Sequence, residues 1–293
     1  MVQRILQIVL PVLAIVVVGY LFGRKVRPDI GAVNQMNMEV FLPALILGAL
    51  SSKEFSLAAN RGLILGSLGV VLGSGLVAWP IARWLKVDVR TFVPPMMFNN
   101  CGNVGLPLAV LAFGEATLPA AVALFATSNL LHFTLGYSIV RRDAHFGHFL
   151  RSPMILATAG GVALSAAGIG LPGLVGVAVR MTGEVAVPLM IFTLGVRLAS
   201  TPMGSWRVGV AGALVRPLAG LGVALLLGPL LGLSPLHRGM LYLFASLPPA
   251  ILNFMLAERY QQEPDKVASI VLMGTLASLV FVPLGLALAL GPS

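Results

Sequence analysis

Asparagine, glycine and proline interrupt an apolar run at Asn99-Asn100-Cys101-Gly102-Asn103-Val104-Gly105-Leu106-Pro107. A proline pair interrupts a second run at Ser246-Leu247-Pro248-Pro249-Ala250-Ile251-Leu252-Asn253. The amides of Asn99, Asn100, Asn103 and Asn253 donate and accept hydrogen bonds without carrying charge into a membrane. Pro107, Pro248 and Pro249 lack an amide hydrogen and displace the preceding turn. Gly102 and Gly105 permit backbone geometries closed to other residues. These residues predict two helices, each split into halves around an unwound centre. The second half-helix at each break directs unpartnered N–H groups and partial positive charge at a shared point. An anion is the natural guest there, and a carboxylate the natural anion. A lone kink is ordinary in a membrane helix. A matched pair of breaks points to a secondary transporter's binding site. The predicted substrate-binding set is therefore Asn99, Asn100, Gly102, Asn103, Gly105, Pro107, Pro248, Pro249 and Asn253, with Arg216 added on charge.

Charges inside apolar segments are costly and often functional. Arg216, followed by Pro217, either counterbalances a dianionic substrate or satisfies carbonyls freed by a broken helix. Glu184 stands four residues after Arg180, which places both on one helix face as an ion pair. Glu39 has no such neighbour and is the better proton-carrying candidate, since a buried carboxyl takes up a proton more readily. Glu39 and Glu184 are the two possible proton-coupling residues. His132 reads as a packed, hydrogen-bonded side chain, and His145 and His148 as solvated loop residues. Cys101 reads as a small residue at a crowded crossing. As the chain's single cysteine, it forms no internal disulfide.

The elements that position these residues are membrane spans. The 293-residue chain is 58% hydrophobic and 10% charged, with a mean hydropathy of +0.96. A soluble protein of this size needs far more polar surface. About 20 apolar residues cross a bilayer, and ten such segments are legible: 5–23, 32–51, 62–84, 91–113, 117–140, 153–170, 174–199, 206–232, 238–257 and 267–290. No cleavable signal is expected, because the first run has no small-residue cleavage site before Arg24. The excess of nineteen Lys+Arg over ten Asp+Glu is not a nucleic-acid signature, since the basic residues fall between apolar runs. Connections after odd-numbered spans hold most of them, among them Arg24, Lys25, Arg83, Arg141, Arg197 and Arg259. The other side holds only Arg4, Lys53, Arg61 and Arg238. Positive-inside bias then places both termini outside the cytoplasm.

An internal repeat divides the chain. Glu39-Val40-Phe41-Leu42-Pro43 recurs as Glu184-Val185-Ala186-Val187-Pro188; Pro11 and Gly19 match Pro153 and Gly161; Thr127 and Phe133 match Thr275 and Phe281. Five spans per copy is odd, so the second copy enters the membrane inverted. The predicted fold is all-α, with ten transmembrane helices in two inverted five-helix repeats, 1–140 and 153–293. They are joined by a cytoplasmic link at 141–152, and helices four and nine are broken crossovers.

The run FNNCGNVGLPLAVLAFGE, with the following FATSNLLHFTLG, resembles spans four and five of the auxin efflux carrier family. SLPPAILNFMLAERYQQEPDKVASIVLMGTLASLVFVPLGL resembles its C-terminal region. The likeness implies the five-plus-five fold shared with bile-acid sodium symporters, an elevator-like mechanism and a homodimer. It implies spans 1, 2, 6 and 7 as scaffold, with spans 3–5 and 8–10 as the mobile core. Bacterial members resemble carriers of small carboxylates such as malonate and malate, with Asn103 as a crossover residue touching substrate. This chain carries Pro249 directly after Pro248, where plant members usually show a polar residue. The plant carriers also have a much longer central loop.

The expected function is a cell-membrane secondary transporter for small organic anions, with no resident cofactor and either H⁺ or Na⁺ as a coupling ion. An anion leaving a negative interior gains about 2.3 kcal/mol per charge per 100 mV, whereas its uptake needs coupling. The alternative is a sodium- or proton-coupled carrier of cations or of larger amphipathic anions. An intramembrane enzyme is disfavoured: the chain has no HExxH, no GxSxG and no paired intramembrane aspartates. A passive channel is disfavoured by the inverted repeat.

Overall fold

The computed structural model describes residues 2–140, 152–199 and 204–291. Every regular element among them is helical. The first half contains α1 (Val2–Val26), α2 (Gly31–Met36), α3 (Leu42–Leu50), α4 (Leu57–Trp84), α5 (Val89–Met97), α6 (Leu106–Phe113), α7 (Leu118–Leu131) and α8 (Tyr137–Val140). The second contains α9 (Pro153–Ala166), α10 (Gly173–Glu184), α11 (Ala186–Leu198), α12 (Trp206–Leu230), α13 (Pro235–Ser246), α14 (Ile251–Arg259) and α15 (Pro264–Ala289). Wide π turns at Asn37–Phe41, Cys101–Gly105 and His132–Gly136 adjoin α3, α6 and α8.

Among the described residues, seven continuous stretches are long and apolar enough to cross a membrane: Val2–Val26, Gly31–Leu50, Leu57–Trp84, Glu115–Val140, Gly173–Leu198, Trp206–Leu230 and Pro264–Ala289. The three other predicted spans are helical as well. One is α9, with 14 residues, and the others are the broken pairs α5–α6 and α13–α14. Most of the predicted basic link, with His145 and His148, lies outside the described residues.

Burial separates the two kinds of helix. Leu76, Trp84, Leu174 and Leu230 point outward from continuous helices, an apolar surface that lipid rather than water covers. Residues 91–98 and 239–250, which lead into the breaks, are buried throughout. That shielding is the condition for irregular backbone at membrane depth.

Prolines explain two further irregularities. Pro43 cannot donate to the carbonyl of Glu39, nor Pro188 to that of Glu184. The chain answers with the π turn at Asn37–Phe41 and a turn at Val185 between α10 and α11. Both copies of the Glu-x-x-x-Pro pattern thus carry a defect at the same point. The first defect corrects one expectation: Glu39 is exposed, not buried. The widened turn faces Asn37 inward, and Glu39 accepts a hydrogen bond from Gln35 Nε2 at 3.1 Å instead.

The helices pack in two groups. In the first, α1 lies along α11, and α3 lies against α9 and α10. In the second, α12 packs on α15 and α4, α13 on α15 and α12, and α4 on α5 and α7. Glycines set the closest approach in the first group. A Cβ at Gly195 would overlap the Val16 carbonyl, and one at Gly19 would overlap the Phe192 carbonyl. Because a backbone cannot yield as a side chain does, Gly195→Val is expected to cost at least about 1–3 kcal/mol. Thermal unfolding in detergent should show this as a midpoint lowered by several degrees.

Candidate functional site

The two breaks meet and pair. After α5, Phe98 is extended (φ −105°, ψ 112°); after α13, Leu247 and Ala250 are extended too. The segments run antiparallel, with Asn99 opposite Pro249. Asn100 N donates to the Pro248 carbonyl at 2.7 Å, and Ala250 N donates to the Phe98 carbonyl at 2.9 Å. Side chains complete the exchange. Asn99 Nδ2 donates to the Phe244 carbonyl in the last turn of α13. Asn253 Nδ2 donates to the carbonyls of Phe98 at 3.0 Å and Ala250 at 2.9 Å. Each break thus lends an asparagine to cap the half-helix of the other, where free carbonyls would otherwise stay unsatisfied.

A polar network fastens the same helices at one end. Thr91 Oγ1 donates to Glu263 at 2.6 Å, and Gln262 Nε2 donates to Asp88 and to Thr91, both at 3.1 Å. Lys266 donates to Glu263.

Beside the crossing lies a cavity of about 110 Å³. Small-molecule pockets for drug-sized ligands run to roughly 300–1,000 Å³, so this one suits a guest of few atoms. Cys101, Gly102 and Asn103 line it from the start of one second half-helix, and Ala250, Ile251 and Leu252 from the other. Asn34, Asn37, Asn99, Asn100, Asn129, His132, Thr193 and Arg197 complete the polar lining. Five of these side chains hold a buried polar atom with no hydrogen-bond partner: Asn34 Nδ2, Asn37 Oδ1, Asn99 Oδ1, Asn100 Nδ2 and His132 Nε2. Native interiors leave few such atoms unpaired, and a cluster of them marks a place where something else supplies the partners. Among the described residues, no Asp or Glu lines the cavity.

A larger cavity, of about 740 Å³, lies between α3, α10 and the α6–α7 connection, with Glu54, Glu115, Arg180 and Glu184 in its wall. The side-chain atoms that lack partners gather at the smaller one, which we take as the site.

The family model described as membrane transport protein matches residues 144–286. This is the auxin efflux carrier family that the crossover motifs resemble. The chain is 26% identical to a protein of Rhizobium meliloti named a putative malonate transporter, over 94% of this chain and 92% of that one. It is 28% identical to an uncharacterized transporter of Methanothermobacter thermautotrophicus, over 94% of this chain and 95% of the relative. A transporter of Methanocaldococcus jannaschii is 22% identical over 95% and 97% of the two chains. The chain is thus similar to membrane transporters over nearly its whole length, and to this family over residues 144–286. It is not an enzyme, and its apolar helices make it a multi-pass membrane protein.

Of the residues singled out by sequence, the transporter brings Asn99, Asn100, Gly102 and Asn103 to the cavity wall. Pro248, Pro249 and Asn253 build the crossing behind that wall. Gly105 and Pro107 sit further along, where α6 begins. The expectation of unusual glycine backbone fails, since Gly105 is plainly helical (φ −68°, ψ −48°). What glycine supplies there is room. A Cβ at Gly102 would come within 2.9 Å of Phe125, and one at Gly105 within 2.8 Å of Leu247.

Arg216 is fully buried but does not line the cavity. Its Nη1 donates to the Ala245 carbonyl at 3.3 Å, at the negative end of α13, where a cation is favoured. Glu184 is exposed and faces Arg180 at 3.9 Å, as its spacing predicts. The transporter's cavity also draws on residues that sequence reasoning passed over: Asn34, Asn37, Asn129, Thr193 and Arg197. Arg197 reads in sequence as a topology signal, yet α11 ends beside the crossing and its Nη2 lies 3.7 Å from Met255 Sδ.

Proposed function

We propose that the transporter moves small organic anions, mono- or dicarboxylates such as malonate or malate, by alternating access at the α5–α6 and α13–α14 crossing. One observation carries this reading. A small cavity combines two half-helix starts, a set of neutral amides with atoms lacking partners, and the guanidinium of Arg197, with no carboxylate in its wall among the described residues. Such a lining donates hydrogen bonds and positive potential, which suits carboxylate oxygens and repels none of them. The name of the Rhizobium relative supports malonate in particular.

The wider reading is ten spans in two inverted repeats, both termini outside, and a homodimer in the cell membrane. Asn34, Asn37, Met190, Thr193 and Arg197 come from the helix group of α1–α3 and α9–α11, whereas the crossing belongs to the other group. The cavity lies on the boundary between them. An elevator-like displacement of the crossing group against the other would therefore change which side the site faces. The coupling ion is H⁺ or Na⁺.

Counterflow in proteoliposomes tests the function. Vesicles preloaded with unlabelled mono- and dicarboxylates should accumulate labelled malonate or malate with wild type. Asn103→Ala should abolish uptake while membrane insertion persists. Folded wild-type protein that exchanges none of the panel would defeat the small-carboxylate reading in favour of cations or larger amphipathic anions. Equal exchange by both proteins would keep the function and remove Asn103 from the site.

A further inference from the structure

His132 is the single imidazole in the cavity wall among the described residues, and its surroundings are those of a working group. The ring stacks on Phe98, with centroids 4.1 Å apart and planes 6° from parallel. Phe98 carries the carbonyl that Ala250 N and Asn253 Nδ2 both engage, so the ring rests on the crossing itself. Its Nε2 is buried without a hydrogen-bond partner. Beside it stands the Asn253 side chain, whose orientation is fixed. The amide nitrogen is spent on two carbonyls, so Oδ1 is left as a buried acceptor with no donor. An imidazole carrying two N–H groups supplies that donor and keeps another for a ligand.

Charge counting gives this arrangement a purpose. Among the described residues, the titratable and charged groups in the cavity wall are Cys101 from the turn before α6, His132 after α7, and Arg197 at the end of α11. Glu258, exposed at the end of α14, lies within electrostatic reach of Arg197 and outside the wall. Arg216, also outside the wall, lies within electrostatic reach of Cys101, but its guanidinium is engaged with the Ala245 carbonyl at the end of α13. Tyr137 and Tyr260 join hydroxyls at 2.6 Å, also outside the wall. Arg197 matches one negative charge. A monocarboxylate is then neutralised as it stands, whereas a dicarboxylate keeps one charge unmatched in a buried site, which is costly. A proton on His132 matches it.

We propose that His132 is the proton-accepting group of the transporter, taking up one proton with each bound dicarboxylate and none with a monocarboxylate. The inference rests on the organic-anion reading and adds the coupling ion and the residue that holds it. The proton comes from water and forms an N–H bond at the imidazole; the ligand stays chemically unchanged. Linkage makes the effect reciprocal, because a dianion that favours the protonated ring is itself bound more tightly when the ring is protonated. Dicarboxylate binding should then weaken by up to roughly tenfold per pH unit above neutrality.

Calorimetry on purified transporter tests this at about pH 7.5, where a free imidazole is mostly neutral. Malonate and propionate are each titrated in two buffers of different ionisation enthalpy, whose difference reports protons exchanged. Wild type should take up close to one proton per malonate and none per propionate. His132→Gln should bind malonate more weakly and with no proton uptake. Malonate binding to wild type without proton uptake overturns the proposal, and needs no variant. Proton uptake that persists in folded His132→Gln overturns it as well. Wild type that binds neither acid defeats the anion reading and this inference together.

Discussion

Arg197→Gln is expected to raise the half-saturating concentration of a dicarboxylate by roughly 10- to 100-fold. Among the described residues, the guanidinium is the one permanent positive charge in the cavity wall, at the end of α11 and half buried. A hydrogen bond to a charged partner contributes about 1.5–3 kcal/mol, and each 1.4 kcal/mol is roughly tenfold in affinity. Glutamine keeps an N–H donor on a shorter chain and removes the charge. Arg197→Lys should recover part of the loss, because an ammonium restores charge without the planar fork. The concentration dependence of counterflow measures all three proteins. An unchanged half-saturation in Arg197→Gln would mean that the anion is held by amides and helix starts alone.

Gly274→Ala, a change of one methyl group, is expected to cut transport by at least about tenfold. Gly274 lies on α15 against Pro249, and a Cβ there would overlap the pyrrolidine ring at Cδ. A flexible side chain would swing aside. A proline ring cannot, and Pro249 sits in a segment pinned on both sides by the Asn100–Pro248 and Ala250–Phe98 hydrogen bonds. Relief must come from moving either α15 or the crossing, at about 1–3 kcal/mol for overpacking of this kind. Circular dichroism should show unchanged helicity, so that lost counterflow reports a displaced site rather than an unfolded chain. Full activity in Gly274→Ala would show that the crossing shifts freely.

The breaks themselves were legible because their cause is local: proline and glycine in an apolar run need no tertiary context. The Arg180–Glu184 pair was legible for the same reason, since spacing alone puts both side chains on one face. Proline did not always mean a break, however. Pro94-Pro95 continue α5, whereas Pro248-Pro249 end α13, and what distinguishes them is the partner segment at Asn99. Most of the cavity wall was illegible because it is assembled from distant parts of the chain. Asn37 and Glu39 stand two residues apart, and only the π turn decides that the amide faces inward. Arg197 carries a charge near a helix end, which sequence alone reads as topology. Arg216 was recognised as unusual, but whether it faced the cavity or the end of α13 depended on how α12 packs against α13.

The antiparallel pairing at the crossing is a ribbon of two strands one residue pair wide, and ribbons have edges. An ordinary edge offers outward N–H groups to water or to a further strand. Asn99 and Pro249 face each other at the position where hydrogen bonds come from the flanking residues, so their own backbone N–H positions turn outward. At residue 249 that position is empty, because proline has no hydrogen there. Pro248 contributes only its inward carbonyl. This strand therefore has no outward amide hydrogen at its paired residue, and nothing at that point calls for a water molecule or invites a third strand. Any other amino acid at 249 would add one buried donor facing away from the ribbon, and the surrounding helices would have to supply its acceptor.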